Sequence, residues 1–331
     1  MISLDYGVLE ELERHLAPLL EAAGFPVETL QATGMLGRGG SGSVFSLHIN
    51  NRYYVIKIYT SHAAYVRERR NWRRLVWPPQ VILSLPANKN PLGYDIVVTA
   101  VPQGSSFTSE NLQEWVSDKL CERLFEMHRV RRTRKITAAS LRRSIDDVAW
   151  GATQAAAGVS EESRLMVENI VEELRRFLDR SSAIMRVQPS LLHNDLWWDN
   201  IIVARDDVYL IDWEWVKIGD YAEDIAYARV MMGFVPVYDP SHRFWREQPD
   251  NMAANRFFAR ITDAYKREFE DSSLDERMRF YLCLQTLRRL SDYYSGIYKE
   301  SHYLLNYWLE RLPGYWADGL NDELPAIALL D

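Results

Sequence analysis

The stretch Gly37-Arg38-Gly39-Gly40-Ser41-Gly42-Ser43-Val44-Phe45 constrains this chain more than any other segment. Glycine at this density lets a backbone approach a phosphate, and three loop types use the spacing found here. A Walker A loop needs Lys and then Ser or Thr after its last glycine; Ser43 and Val44 follow Gly42, so that pattern fails. A dinucleotide loop opens a helix and has an acid about 20 residues further on. Here the residues after Gly42 alternate polar and apolar through Ile49, and no Asp or Glu occurs before Glu68. That alternation predicts a strand, a turn at Asn50-Asn51, and a second strand over 52–59. What is left is a glycine hairpin with Gly37, Gly39 and Gly42 at its tip, Val44 behind them, and Lys57 on the next strand. A flexible turn of no chemical consequence is the plain alternative.

Composition narrows the classes. The chain has 331 residues, 47% of them apolar, which is enough for one large domain or two lobes. A net charge of −7 argues against a nucleic-acid binder that works through bulk charge. Two cysteines, Cys121 and Cys283, are too few for a disulfide framework and suit a reducing cytoplasm. Glu10, Glu11 and Glu13 interrupt any N-terminal leader, and no apolar run approaches a membrane span of about 18 residues. The expectation is a cytoplasmic protein with no nucleic-acid or membrane partner.

The pattern along the chain is a helix over 8–23, strands around the glycine hairpin, a helix from Ser61 to about Val76, and strands over 81–85 and 96–101. Helices over 111–128, 160–180, 251–269 and 274–297 follow, interrupted by a short strand pair over 200–203 and 208–213. The fold expected is α+β: residues 1–101 form a small antiparallel-sheet lobe with an N-terminal helix, and residues 102–331 a larger helical lobe, with a hinge near Thr99 to Gly104.

A second motif runs into that strand pair. His193-Asn194-Asp195 with Asn200 reads H-x-D-x-x-x-x-N, and Asp212 ends the apolar run Tyr209-Leu210-Ile211. Phosphoryl transfer needs a carboxylate at the attacking hydroxyl and oxygen ligands that hold magnesium against the phosphates. Asp195 suits the first role; Asn200 and Asp212 suit the second, since magnesium favours oxygen donors. An ordinary loop carboxylate is the plain reading of Asp195. An unpaired Asp212 within an apolar strand would be costly, so a metal partner explains it more simply. Lys57 needs a counter-charge, and Glu68 on the next helix supplies one, unless Glu68 only balances the arginines beside it. Trp197, Trp198, Trp213 and Trp215 pack a core or wall a sugar or cation site. Glu214, Asp220 and Glu223 bind a cationic substrate or face solvent.

In this order the motifs resemble the aminoglycoside phosphotransferase and choline kinase superfamily, whose fold is protein-kinase-like. Gly37 to Val44 is similar to its glycine loop, Lys57 to its phosphate lysine, and Glu68 to the paired glutamate. The segment 96–104, with Thr99 and Val101, resembles the adenine-contacting hinge, and 124–128 resembles the Leu-His segment before the catalytic part. His193 to Asn200 resembles the catalytic loop, 211–214 the metal strand, and 219–226 the G-D-x-x-x-D-L-A segment. The resemblance implies a bilobal kinase that uses ATP, or GTP in some members, with Mg2+. It also implies that His193 supports the loop through hydrogen bonds, Asp224 among the partners. Protein kinases carry D-F-G where this chain has Asp212-Trp213-Glu214, and no A-P-E follows; Asn194 replaces the frequent Gly, and the hinge lacks its frequent Glu. The first two departures favour the small-molecule branch, and the missing hinge Glu leaves the base to backbone groups. The acceptor expected is an aminoglycoside-type antibiotic, with choline, ethanolamine, a sugar or an amino alcohol as alternatives. A non-catalytic nucleotide-binding module is the alternative of another class. The segments 134–190 and 231–316 are expected to set specificity, with Tyr293-Tyr294 and Tyr307-Trp308 as pocket or core aromatics.

Overall fold

A computed structural model describes residues 6–39, 41–130, 135–238, 251–297 and 302–317. Gly40 of the glycine stretch, Arg134, and parts of the segment 231–316 lie outside them. The chain divides into two compact units, Met1–Gly104 and Ser105–Asp331.

The first unit holds helix α1 (Tyr6–Ala22), strands β1 (Leu30–Gly39), β2 (Gly42–Ile49) and β3 (Arg52–Tyr59), helix α2 (His62–Trp72), and strands β4 (Val81–Leu85) and β5 (Asp95–Ala100). The five strands form one antiparallel sheet in the order β1-β2-β3-β5-β4. Alternation along the strands divides its side chains between two faces. Phe45, Leu47, Tyr54, Ile56, Ile96 and Val98 point to one face and pack with Leu12, Leu16 and Leu20 of α1 in a buried cluster. Val44, Lys57, Val97 and Thr99 occupy the intervening positions and therefore the other face. Asn50 and Asn51 both take positive φ, 50° and 61°, the left-handed pair that a two-residue hairpin needs.

Ser61 caps α2 as expected, its hydroxyl accepting from the Ala64 N–H at 3.2 Å. The helix stops at Trp72 rather than near Val76. Beyond it the chain tightens into three-residue turns, Arg74 N–H to Asn71 O and Leu75 N–H to Trp72 O, before the Pro78-Pro79 block.

The second unit is mainly helical. A two-residue strand β6 (Ser105–Ser106) precedes α3 (Glu114–His128), α4 (Ala138–Ala157), α5 (Glu161–Arg180) and the single turn α6 (Ala183–Arg186). Strands β7 (Ser190–Leu192), β8 (Ile201–Val203), β9 (Val208–Leu210) and β10 (Lys217–Gly219) come next. Helices α7 (Tyr221–Tyr238), α8 (Asn251–Phe269), α9 (Leu274–Tyr294) and α10 (His302–Ala317) complete it. Helix α9 packs against α4, α7 and α10 and buries residues all round its circumference, as a central core helix does. It ends three residues before Ile297 because Gly296 takes φ 95° and closes the helix, the Ile297 N–H reaching Asp292 O at 3.1 Å. Tyr307 and Trp308 are buried core residues, whereas Tyr294 is exposed. The two cysteines are buried and unbridged, and burial pushes the Cys121 thiol up to about 12.

Leu47 is fully buried in the α1–sheet cluster. Leu47→Ala is expected to destabilise the first unit by about 2–5 kcal/mol, read from urea unfolding. A change under about 1 kcal/mol would place this core elsewhere.

Candidate active site

The glycine hairpin aligns its candidate residues in one cross-strand row. Gly37 pairs with Val44, Val44 with Lys57, and Lys57 with Val97. Thr99 lies two residues along β5 on the same face, and Val101 follows the strand end. Gly39 pairs with Gly42 at the hairpin mouth. A Cβ on Gly42 would come within 2.2 Å of the Ile58 carbonyl oxygen, so strand packing forbids a side chain there. Among the described residues, nothing lies within 4 Å of a Cβ on Gly37.

Lys57 meets its expected partner: its Nζ donates to Glu68 Oε2 at 2.8 Å. The Tyr59 hydroxyl donates to the same oxygen at 2.8 Å, and the ammonium lies 5.3 Å from the Tyr59 ring centroid. Glu68 is buried and accepts from both of these donors.

In the second unit, four short strands hold the loop 193–200. Strand β7 leads into it and pairs with β10; β8 leads out and pairs with β9. Asn194 takes φ 63° and turns the chain so that two consecutive N–H groups point the same way. His193 N–H donates to Asp224 Oδ2 at 2.7 Å, and Asn194 N–H to Asp224 Oδ1 at 2.7 Å. Asp224 stands in the first turn of α7, fully buried, and meets His128 Nε2 at 3.2 Å; His128 Nδ1 lies 2.6 Å from the Tyr265 hydroxyl. The His193 ring does not reach Asp224; its Nε2–H donates to the Ile211 carbonyl at 2.9 Å and its face packs against Trp213. His193 thus ties the loop to the residue before Asp212.

Asp195 hangs from this frame. Asn200 Nδ2 donates to the Asp195 backbone oxygen at 2.8 Å and to its Oδ2 at 3.0 Å. The Tyr227 hydroxyl of α7 donates to Oδ1 at 2.6 Å. Burial pushes the Asp195 carboxyl above its ordinary value and the charge on Asp212 adds to this; Tyr227, His193 and Asn200 pull the other way. Asp224 moves oppositely. Burial acts against its charge too, but His128, the charge on His193 and the Asn194 N–H outweigh it and hold the carboxyl below the usual range.

Three expectations need correction. Asp212 is not within a strand: β9 ends at Leu210, and Asp212 takes φ 58° as it opens a short 3-10 turn over Trp213–Trp215. The Asn200 N–H donates to Trp197 O inside a second 3-10 turn, so β8 begins one residue later than expected. Nor do Glu214, Asp220 and Glu223 face solvent, for all three are buried. Asp220 pairs with Arg277, which also pairs with Asp271; Glu223 accepts from Lys217 and Arg288, each at 2.7 Å. Of the tryptophans, Trp198 and Trp213 are core, with Trp198 4.7 Å from Phe107, while Trp215 is exposed. Tyr227, Arg277 and Tyr265 escaped sequence reasoning, since nothing in a lone aromatic or arginine on a helix marks it.

A model of the phosphotransferase enzyme family matches residues 35–281, from the glycine hairpin to the middle of α9. The chain belongs to that family. It is an enzyme of the aminoglycoside phosphotransferase and choline kinase superfamily, a small-molecule phosphotransferase with an alcohol as acceptor. Its antiparallel sheet and helical second unit are the kinase-like α+β fold expected. The fold is similar to that of a thermostable mutant of an aminoglycoside phosphotransferase, solved in ternary complex with AMP-PNP and hygromycin B. The two are 14% identical, the match covers 92% of this chain and 99% of that one, and the TM-score is 0.61. Choline kinase from Cryptosporidium parvum is 14% identical, with 86% and 88% of the chains covered and a TM-score of 0.56. Ethanolamine kinase from Plasmodium vivax is 12% identical, with 88% and 83% covered and a TM-score of 0.55. In sequence, the enzyme is 47% identical over 36 residues to the LicA homolog protein of Metamycoplasma hominis, which is 11% of this chain and 14% of the relative. Among the described residues, no helix is long and apolar enough to cross a membrane.

Asp224→Asn removes the carboxylate that holds the loop and leaves buried partners unpaired. The expected loss is about 3–5 kcal/mol in urea unfolding at neutral pH. Because folding lowers this carboxyl, its contribution is full above the ordinary carboxylate range and is lost as the pH falls through the depressed folded value. The gap between wild type and variant should therefore narrow below about pH 4. A gap that widens on acidification would reverse the sign assigned to Asp224.

Proposed function

We propose that the enzyme transfers the γ-phosphoryl group of ATP to a hydroxyl of a cationic small molecule, in the first place an aminoglycoside-type antibiotic. One observation carries the phosphoryl-transfer chemistry: Asp195 and Asn200 are hydrogen-bonded to each other on a loop whose backbone is clamped by Asp224. Residues 1–101 serve the nucleotide, and residues 102–331 serve catalysis and the acceptor. Gly37, Gly39 and Gly42 cover the phosphates, Val44 packs beside the nucleotide, and the backbone at Thr99 and Val101 meets the base. Lys57, oriented by Glu68 and Tyr59, presents its ammonium to the inner phosphates. GTP is the alternative phosphoryl donor.

The donors suit magnesium. Asn200 gives its amide N–H groups to Asp195, which leaves its amide oxygen to face a cation, and Asp212 adds a carboxylate. An all-oxygen pair of this kind matches a hard cation better than zinc or copper. Bound there, magnesium would offset negative charge on the phosphates. Asp195 accepts the hydroxyl proton as the new oxygen–phosphorus bond forms. Asp224 and His193 hold the loop rigid meanwhile, at no cost at the moment of reaction.

The acidic balance of the chain, −7, favours a polycationic acceptor. Likeness in fold to the enzyme solved with hygromycin B is consistent with this. An antibiotic acceptor would make this a resistance enzyme working in the cytoplasm. Choline or ethanolamine is the second reading. It draws on exposed aromatic surface, namely Trp215 and the edge-to-face pair Trp150–Tyr294 at 4.9 Å, which suits an ammonium group.

The test is ADP release by the purified enzyme with magnesium-ATP across aminoglycosides, other antibiotics, choline, ethanolamine and sugars. One compound should stimulate turnover, and Asp195→Ala should reduce that turnover about 100-fold or more. Undiminished turnover in the variant would remove Asp195 from the chemistry. Failure to bind any nucleoside triphosphate by calorimetry would overturn this mechanism and favour the glycine stretch as a plain turn.

A further inference from the structure

An Asp carboxylate turns easily about its last torsion, which is broad and roughly two-fold, so its own chain does not fix the plane of its oxygens. Neighbours must fix that plane if a proton is to be accepted in one direction. At Asp195 two donors from different elements do so. Asn200 holds Oδ2 from the 3-10 turn, and Tyr227 holds Oδ1 from α7, one helical turn beyond Asp224. Tyr227 is itself fixed from a third element. The guanidinium of Arg289 on α9 lies 5.8 Å from its ring centroid, and Arg289 is set by Asp292 at 3.0 Å and by the Met231 sulfur at 4.0 Å.

We propose that Tyr227 is a positioning residue for phosphoryl transfer. Its hydroxyl fixes the plane of the Asp195 carboxylate so that the unused lone pairs keep one direction toward the attacking hydroxyl. This rests on the reading that Asp195 receives the hydroxyl proton. In that step the acceptor oxygen bonds to the γ-phosphorus as the bond from phosphorus to the bridging oxygen of ATP breaks. The acceptor proton passes to Asp195, and ADP leaves with the electron pair of the broken bond. Tyr227 keeps its own proton throughout and serves only as a donor.

Tyr227→Phe in the full chain keeps the ring and its stacking on Arg289 and removes only the hydroxyl. It is assayed with magnesium-ATP and the acceptor that the panel identifies, or, if none is found, by slow ATP hydrolysis with water as acceptor. The expected result is a kcat lowered about tenfold to a hundredfold, the range of one hydrogen bond to a charged group, with KM for magnesium-ATP within about twofold. In an Asp195→Ala background the same substitution should cause no further loss, because its partner is gone. A Tyr227→Phe enzyme with kcat within about twofold of wild type overturns the proposal, as does a loss of equal size in the Asp195→Ala background. If Tyr227→Phe does not fold, Arg289→Met decides in its place: it leaves the phenol bond but frees the ring. A lowered kcat at unchanged KM then supports the proposal, and an unchanged kcat overturns it. A wild-type enzyme without any turnover overturns the reading of Asp195 and this proposal with it; turnover that survives Tyr227→Phe overturns this proposal alone.

Discussion

A single buried carboxylate organises the second unit. Asp224 accepts from two consecutive backbone N–H groups and faces a buried histidine, and each contact is one that its charge strengthens. A buried carboxylate is costly unless its lone pairs are filled, so the loop must take the shape that fills them. That shape requires Asn194 in the left-handed region, a conformation asparagine tolerates better than most residues. The strained turn then leaves Asp195 beside Asn200 and places the two side chains in contact. The charge on Asp224 is thus structural, while Asp195, higher in proton affinity through burial and Asp212, is the carboxylate suited to chemistry.

The first unit solves a different problem with alternation. One face of its sheet is committed to α1 and the apolar cluster. The opposite face therefore carries whatever the intervening positions hold, and there the sequence puts Val44, Lys57, Val97 and Thr99 in adjoining rows. A lysine on such a face needs a partner that does not consume it. Glu68 serves by holding the ammonium through Oε2, and the Tyr59 hydroxyl donates to the same oxygen and so fixes the carboxylate in turn.

Local signals made much of this legible. The sheet follows from two-residue periodicity and an Asn-Asn turn, the start of α2 from the Ser61 cap, and the Lys57–Glu68 pair from a strand lysine that needs a counter-charge beside a helix that carries a glutamate. The charge network of the second unit was not legible, because its partners are far apart in the chain. Glu223 looks like a free surface acid until Arg288 arrives on another helix, and Asp220 until Arg277 does. Tyr227 sits in a helix apolar enough to conceal any one polar atom, and only the fold shows its hydroxyl on Asp195. Asp212 was misplaced on a strand because the apolar run before it continues to Ile211, whereas the ladder stops at Leu210 and the chain turns through positive φ.

The central claim is that Asp195, on its clamped loop, directs a phosphoryl group onto a small-molecule hydroxyl. Phosphorus-31 NMR of the purified enzyme with magnesium-ATP and the candidate acceptors tests it most directly. The account predicts a phosphate-monoester resonance that grows as ADP grows, in step with loss of ATP. Accumulation of inorganic phosphate alone, with no monoester for any hydroxyl compound, would contradict it.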